Sequence, residues 1–397
     1  MSQERSPTVV DLFSGPGGLS TGFANAGHTI VGAVDYSEPA VETYDHNHDH
    51  DPLHADIREL DAAAIRDHVA DGGGDPDAVD VVAGGPPCKG FSMANMQTRS
   101  PDNPKNDLFM HFLRVVRDLD PAVVVMENVP GLLSMGREDG DVKDIVQSEL
   151  REFGYTVQHR ILHAERYGVP QARSRVFFVG VKEGTPPFPA PTHAEGGRQK
   201  TLTNSADDLD PVVTVGEALL DLPELPAGGG GDPVMEYDAD PHSDYAAEMR
   251  ADVRDDTLYN HKTTVNREKT RKRFEHIPQG GNWEDIPAEL MDDYTDRSRT
   301  HGHIYYRLEE DEPALTVANF RKSMMVHPTQ DRLLSIREAA RLQSFPDDYR
   351  FVASRISDRQ QMVGDAVPVK LAEQIGRAVA DHLANHGDAS EAHPTTE

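Results

Sequence analysis

The chain has 397 residues, 37% of them hydrophobic, and a formal net charge of −29. That length suffices for one large domain or two ordinary ones. A single cysteine excludes an intramolecular disulfide and any Cys-rich metal site. No apolar run approaches the roughly 18 residues that a membrane span needs. Residues 1–10 lack the basic-then-apolar layout of a signal peptide. A soluble cytoplasmic monomer with no membrane partner is expected. Most of the nineteen histidines sit in acidic, polar stretches, as do His46, His48, His50 and His54. Solvated surface is the simpler reading there, and no metal is assigned. Taken alone, the charge argues against a nucleic-acid partner, because phosphate binding needs local positive charge. A dense carboxylate surface also suits a protein adapted to very high salt.

In chain order, the first half alternates strand and helix as a doubly wound α/β domain does. The apolar run Thr8 to Phe13 predicts a strand, followed by the turn Gly15-Pro16-Gly17-Gly18 and a helix to about Gly27. A second strand, Thr29 to Val34, ends at Asp35, and a helix covers Glu38 to His46. A short strand or turn holds Asp56 and Ile57. Ala78 to Ala83 reads as a buried strand running into Gly84-Gly85-Pro86-Pro87-Cys88. A helix at Asp107 to Leu119 leads to the strand Ala122 to Met126, which ends at Glu127-Asn128-Val129. The helix Val142 to Phe153 and the runs Tyr155 to Leu162 and Val176 to Val181 complete the pattern.

After about Gly184 the pattern breaks. Pro186, Pro187, Pro189 and Pro191 crowd together, and Gly228 to Gly231 are continuous, which are loop and linker signals. Helical periods return at Ser335 to Gln343 and Val369 to Leu383. The expected fold is therefore α/β, a doubly wound and mostly parallel sheet with a smaller mixed domain. Boundaries are expected at 1–185 for the sheet domain, 186–330 for the mixed one, 331–385 for a return to the first, and 386–397 for a disordered tail.

A glycine-rich turn after the first strand, with an acid ending the second, is a general device for holding a nucleotide-like cofactor. Gly15, Gly17, Gly18 and Gly22 do not match G-x-G-x-x-G, which disfavours a dinucleotide. Asp35 is placed for a ribose and Asp56 for an adenine amino group. Together they favour S-adenosylmethionine over NAD.

Cys88 follows a buried strand in a Pro-Pro-Cys turn, where open α/β sheets carry their sites. An isolated cysteine is more often a small buried hydrophobe. Here it sits in a rigid loop, in a chain that otherwise avoids the residue. Glu127 ends the next strand and should face the same crevice, where partial desolvation lets a carboxyl carry a proton near neutral pH. A capping role before Pro130-Gly131 is the competing reading.

Asp11-Leu-Phe-Ser-Gly-Pro-Gly-Gly18, Gly84-Gly-Pro-Pro-Cys-Lys-Gly-Phe-Ser92, Glu127-Asn-Val129, Gln171-Ala-Arg-Ser-Arg175, Arg337-Glu-Ala-Ala-Arg-Leu-Gln-Ser-Phe-Pro346 and Gly364-Asp-Ala-Val-Pro368 resemble, in order, the motifs of the DNA cytosine-5 methyltransferase family. The resemblance runs from about residue 8 to 383. It implies a Rossmann-like fold with a target-recognition domain in the middle interval, and methyl transfer from S-adenosylmethionine to C5 of cytosine in duplex DNA. By that resemblance Cys88 would attack C6 of a flipped base, Glu127 would bind its N3 and amine edge, and Arg175, with Arg173, its O2 edge. Phe13 would lie against the adenine, Gly15 and Gly17 beside the methionine portion, Asp35 on the ribose, and Asp56 with Ile57 at the adenine. Leu108, Pro87 and Val367 would complete the cofactor site, and Ser92 would touch DNA. The chain departs from the family at Lys89, where Gln is usual, and at Asp365, where Asn is usual.

Lys262, Arg267, Lys269, Arg271, Lys272 and Arg273 form a basic island in this acidic chain, interrupted only by Glu268 as an acid. A solvated helix face is the bland reading of such a run. Because the family places target recognition here, the resemblance makes it a phosphate-facing strip, which Arg321 and Lys322 extend. A cognate restriction endonuclease acting separately is a further expected partner. The rivals are an inactive DNA-binding regulator on the same scaffold and an RNA cytosine-5 methyltransferase. The latter's Cys-Phe-Thr segment is impossible with one cysteine.

Overall fold

The computed structural model describes residues 5–87, 108–137, 140–194, 209–226, 229, 234–293 and 302–386. Cys88, Lys89, Ser92 and the tail from residue 387 lie outside the described residues. The chain divides into two compact units: Met1–His163, Ser174–Ala190 and Val369–Glu397 in the first, Ala164–Arg173 and Pro191–Pro368 in the second.

The first unit is built on seven strands: β1 (Thr8–Leu12), β2 (Thr29–Asp35), β3 (Leu53–His54), β4 (Val81–Gly84), β5 (Val123–Asn128), β6 (Thr156–His163) and β7 (Ser174–Val181). Their order across the sheet is β3-β2-β1-β4-β5-β7-β6. β1 pairs in parallel with β2 and β4, β2 with β3, and β4 with β5. β7 is antiparallel to both β5 and β6. This is the expected doubly wound, mostly parallel sheet. Its central strands are covered on both faces, which is why they read as unbroken apolar runs rather than alternating ones. All five residues of β1 and all six of β5 are buried.

Helices α1 (Gly18–Asn25), α2 (Glu38–Asn47), α3 (Ala62–Asp71), α4 (Leu108–Leu119) and α5 (Val142–Glu152) follow the strands. α4 shows the cause most plainly. Phe109, Phe112, Leu113, Val116 and Leu119 recur at helical spacing and are buried, while polar residues take the other face. They share one core with Val10, Leu12, Val82, Val124, Met126 and Phe178. The C-terminal helix, Val369–His386, packs against α1, and His28 hydrogen-bonds the Gly376 carbonyl at 2.8 Å.

The second unit is mixed and mostly irregular, with short helices α6 (Val215–Leu219), α7 (Asp244–Met249), α8 (Glu268–Phe274), α9 (Ile336–Leu342) and α10 (Ile356–Asp365). The expected return to the sheet domain at residue 331 occurs instead at Val369. α9 and α10 pack on each other inside the second unit. Fully buried charges explain their place. Arg341 bonds Asp221 and Asp347 at 2.5 and 2.6 Å, and Arg332 bonds Glu338 at 2.7 Å. The segment 164–173, expected in the first domain, also belongs here. Gln171 donates to the Leu342 carbonyl at 2.8 Å and accepts from the Val317 amide at 2.7 Å.

Gly22 lies within α1 rather than in the glycine turn, and its use is close packing. A Cβ there would lie 2.4 Å from the Ala372 Cβ and 2.6 Å from the Val369 carbonyl oxygen. Gly22→Ala is expected to destabilise the first unit by about 1–3 kcal/mol through overpacking. Thermal melting would show this as a midpoint several degrees lower; an unchanged midpoint would refute the close helix contact.

Candidate active site

Strand order reverses between β1 and β4: β2 and β3 lie on one side, β4 and β5 on the other. Ligands of open α/β sheets bind beyond the carboxyl ends of strands at such a point. Three loops meet the requirement here. The first is the turn after β1. Phe13, Gly15 and Gly17 all have positive φ, at 61°, 56° and 97°. A non-glycine residue in that region is strained, a feature often kept at functional sites. Asp35, ending β2, accepts from the Gly15 amide at 2.9 Å and from the Ser37 amide at 2.8 Å. Burial pushes its carboxyl above the usual range, against the lowering effect of those amides.

The second loop, Gly85-Pro86-Pro87, leaves β4. Asn128 at the end of β5 donates to the Pro86 carbonyl at 2.9 Å, and its side-chain oxygen accepts from the Val129 amide. The Pro-Pro segment is thereby tied to the neighbouring strand immediately before Cys88. Glu127 is 9% exposed. Its Oε1 lies 2.7 Å from Arg175 Nε on β7. A Cβ on Gly85 would sit 3.0 Å from Glu127 Oε2, so glycine is what lets the loop approach the carboxylate. The carboxyl expected to carry a proton thus faces the Arg175 guanidinium.

The third loop follows β3. Asp56 is engaged by Arg58, whose Nε lies 3.0 Å from Oδ1, and this bond holds its carboxyl below the usual range. Ile57 puts its side chain into the core and its carbonyl on Arg114 at 2.8 Å. Leu108, at the start of α4, packs against the same core. Pro87 is half-buried in the first unit, and Val367 follows α10 in the second.

The structure separates Arg173 from Arg175. Arg173 is 1% exposed and belongs to the second unit. Its guanidinium donates to the carbonyls of Val317, Gly364 and Ala366 at 2.8, 3.0 and 3.0 Å. It is a packing residue rather than the base-orienting one expected. Arg273 needs a similar correction: it is 3% exposed and donates to the Leu290 carbonyl and the Tyr305 hydroxyl. Its helix buries that position against the Phe274 and Tyr305 cluster. Arg267, Arg271 and Lys272 are exposed, and Lys262 and Lys269 are half-buried.

The sequence model of the C-5 cytosine-specific DNA methylases matches residues 7–381. This chain belongs to that family. The Type II methyltransferase M.DdeI of Desulfomicrobium norvegicum is 34% identical, over 95% of this chain and 89% of its own length. The Type II methyltransferase M1.HphI of Haemophilus parahaemolyticus is also 34% identical, over 94% and 87%. A solved Escherichia coli prophage protein, assigned as a DNA modification methyltransferase, is similar with a TM-score of 0.71 and 26% identity, covering 96% of this chain and 100% of its own. The methylase transfers a methyl group to C5 of cytosine in DNA, and its family and fold are those of S-adenosylmethionine-dependent enzymes. No helix among its described residues is long and apolar enough to cross a membrane.

Sequence reasoning missed a buried chain beneath the first turn of the methylase. Ser20 donates to Asp11 Oδ2 at 2.6 Å, Tyr44 donates to Ser20 at 2.8 Å, and the His50 ring lies 3.1 Å from the Tyr44 hydroxyl. Asp11 Oδ1 and the Ser14 hydroxyl are buried without a hydrogen-bond partner among the described residues. Tyr36, directly after Asp35, is 59% exposed. The available signal was one acid inside an otherwise apolar strand.

Burial raises Asp11 to about 7, with Asp35 adding to the rise and the Ser20 hydroxyl opposing it. Such an acid binds more protons folded than unfolded between pH of about 4 and about 7, so its contribution to stability is lost as pH rises through that window. Asp11→Asn should remove this decline. Urea unfolding of both proteins from pH 4 to 8 would show it as a difference growing with pH; a constant difference would refute it.

Proposed function

We propose that the methylase modifies cytosine in a specific duplex DNA sequence, with Cys88 as nucleophile and Glu127 and Arg175 holding the base. The observation that carries this reading is the Glu127–Arg175 pair, 2.7 Å apart beside the loop that leads to Cys88. Cytosine C5 is a poor nucleophile. A Cys88 thiolate adding to C6 breaks the aromaticity and places enamine density on C5. Glu127 faces the N3 and amine edge and offsets charge developing on the ring, while Arg175 offers donors to the O2 carbonyl. Once C5 carries the transferred methyl group, loss of the C5 proton to a base re-forms the C5–C6 double bond and expels the Cys88 thiolate. A base inside a duplex cannot reach these groups, so it must be flipped out.

S-adenosylmethionine, when bound, supplies an electrophilic methyl group. The first unit fits it on three counts: among the described residues Ser14 and Asp11 carry buried polar atoms without partners and a Cβ on Gly15 would meet nothing within 4 Å, and Asp35 ends β2 beside that turn. Phe13 and Tyr36 would take the adenine and Asp35 the ribose. Gly15 and Gly17 would border the methionine portion, and Ile57, Pro87 and Leu108 the remaining wall. Asp56 reaches the adenine amine only by sharing or releasing Arg58.

The second unit serves as the target-recognition region, with Lys262, Arg267, Lys269, Arg271 and Lys272 toward phosphates and Ser92 a further contact. The Type II character of the relatives suggests that the methyl mark protects DNA from a cognate restriction endonuclease.

Bisulfite sequencing of DNA from a host expressing the chain should reveal 5-methylcytosine in one sequence context. Cys88→Ser should abolish it. Absence of the mark with the unaltered chain would sink the assignment and favour an inactive regulator. Glu127→Gln should lower the rate of methyl transfer about 10²–10³-fold, as loss of one charge-stabilising group does. Arg175→Lys keeps a cation beside Glu127 but loses the planar fork, and should retain more activity than Arg175→Ala. Equal activities would refute the base-edge role.

A further inference from the structure

The six cations of the basic island differ in what already holds them. Lys269 is paired with Asp292 and lies 3.6 Å from Asp293. Lys272 is paired with Glu268 at 3.1 Å. Arg273 is buried and keeps Asp293 as its own partner. Only Arg267 and Arg271 are exposed with no ion pair among the described residues. The paired carboxylates are open to solvent: the side chains of Asp292 and Glu268 are 68% and 73% exposed. Pairs this exposed are weak and easily exchanged.

Ordinary DNA-binding proteins release condensed salt cations when lysines and arginines replace them on phosphates, which is why added salt weakens them steeply. A lysine that arrives already paired behaves differently. DNA phosphate displaces a carboxylate of the same chain, and the freed carboxylate takes up a cation from solution. Cation release from DNA and cation uptake by the protein then oppose each other. The net charge of −29 works in the same direction. Its field repels DNA at low ionic strength, and salt shortens that reach from about 10 Å at 0.1 M to about 3 Å at 1 M.

We propose that Asp292 and Glu268 act as built-in, exchangeable counterions of the DNA-facing strip, so that the methylase holds DNA with little dependence on salt. The proposal rests on the reading of α8 as a DNA-facing element. It assigns these two acids a regulatory part in binding: they compete with phosphate where salt is low and give way where it is high.

The test is fluorescence anisotropy of a labelled mixed-sequence duplex titrated with the full chain, from about 0.1 to 1 M KCl. An interface using six free cations would lose about 10⁵-fold in affinity over that range. The expected loss here is no more than about 10²-fold, since few of the cations displace salt. Replacing both acids, Glu268→Gln with Asp292→Asn, should tighten binding at the low-salt end. It should also steepen the loss by about 10- to 100-fold, roughly one power of ten per freed lysine. Circular dichroism at each salt concentration confirms that the proteins compared are folded.

A wild-type loss near 10⁵-fold overturns the proposal, as does an equally flat response in the double variant. Arg267→Ala with Arg271→Ala separates the two levels of inference. Weakened binding supports α8 as the DNA-facing strip. Unchanged binding removes that strip, and the counterion role with it.

Discussion

Parallel pairing of β1 with β4, and of β4 with β5, forces three loops to leave the sheet at the same edge. Register makes the arrangement specific. Leu12 stands beside Gly84, and Gly84 beside Met126, so the residues just beyond each partner emerge together. The glycine turn, the Pro-Pro loop and Glu127 are thus neighbours by geometry although far apart in sequence. β7 completes the set because it runs antiparallel to β5. Val176 pairs with Asn128, which places Arg175 next to Glu127 only where one strand ends and the other begins. A parallel strand in that position would enter the sheet from the opposite edge.

Burial gives the charges of the two units different tasks. In the first, Asp11, Asp35 and Glu127 sit under or beside loops, and Asp11 keeps one buried oxygen without a hydrogen-bond partner among the described residues, as a group that meets a ligand does. In the second, the motif arginines are consumed by the fold. Arg337 and Arg341 are fully buried, and Arg341 is shared between Asp221 and Asp347. Breaking one partner of such a cluster strands a buried charge, a penalty far larger than that of an exposed pair. Burial also holds His327 down to about 3, so it is neutral beside Glu338. The late motifs of the chain therefore act as scaffolding for the second unit.

An enzyme that handles DNA with a formal charge of −29 must separate local from global electrostatics. Its basic strip lies on α8 and is partly neutralised by acids from the same unit.

The doubly wound sheet was legible in the sequence because each central strand is covered on both faces, so its apolar run is dictated locally. The glycine turn after β1 and the Pro-Pro segment after β4 were legible because glycine and proline constrain the backbone wherever they occur. What remained hidden depended on partners distant in the chain. Arg173 and Arg175 look equivalent in Gln171-Ala-Arg-Ser-Arg175, yet one is spent on three carbonyls and the other reaches Glu127. Arg273 looks like its neighbours on α8 until its burial against Tyr305 is seen. Asp11 looked like a flaw in an apolar strand until Ser20 and Tyr44 appeared beneath the turn. Residue order alone determined which chemical groups this methylase possesses and which backbone turns carry them. Tertiary structure decided which charges remain available for a ligand, because availability depends on burial and on partners that only folding brings together.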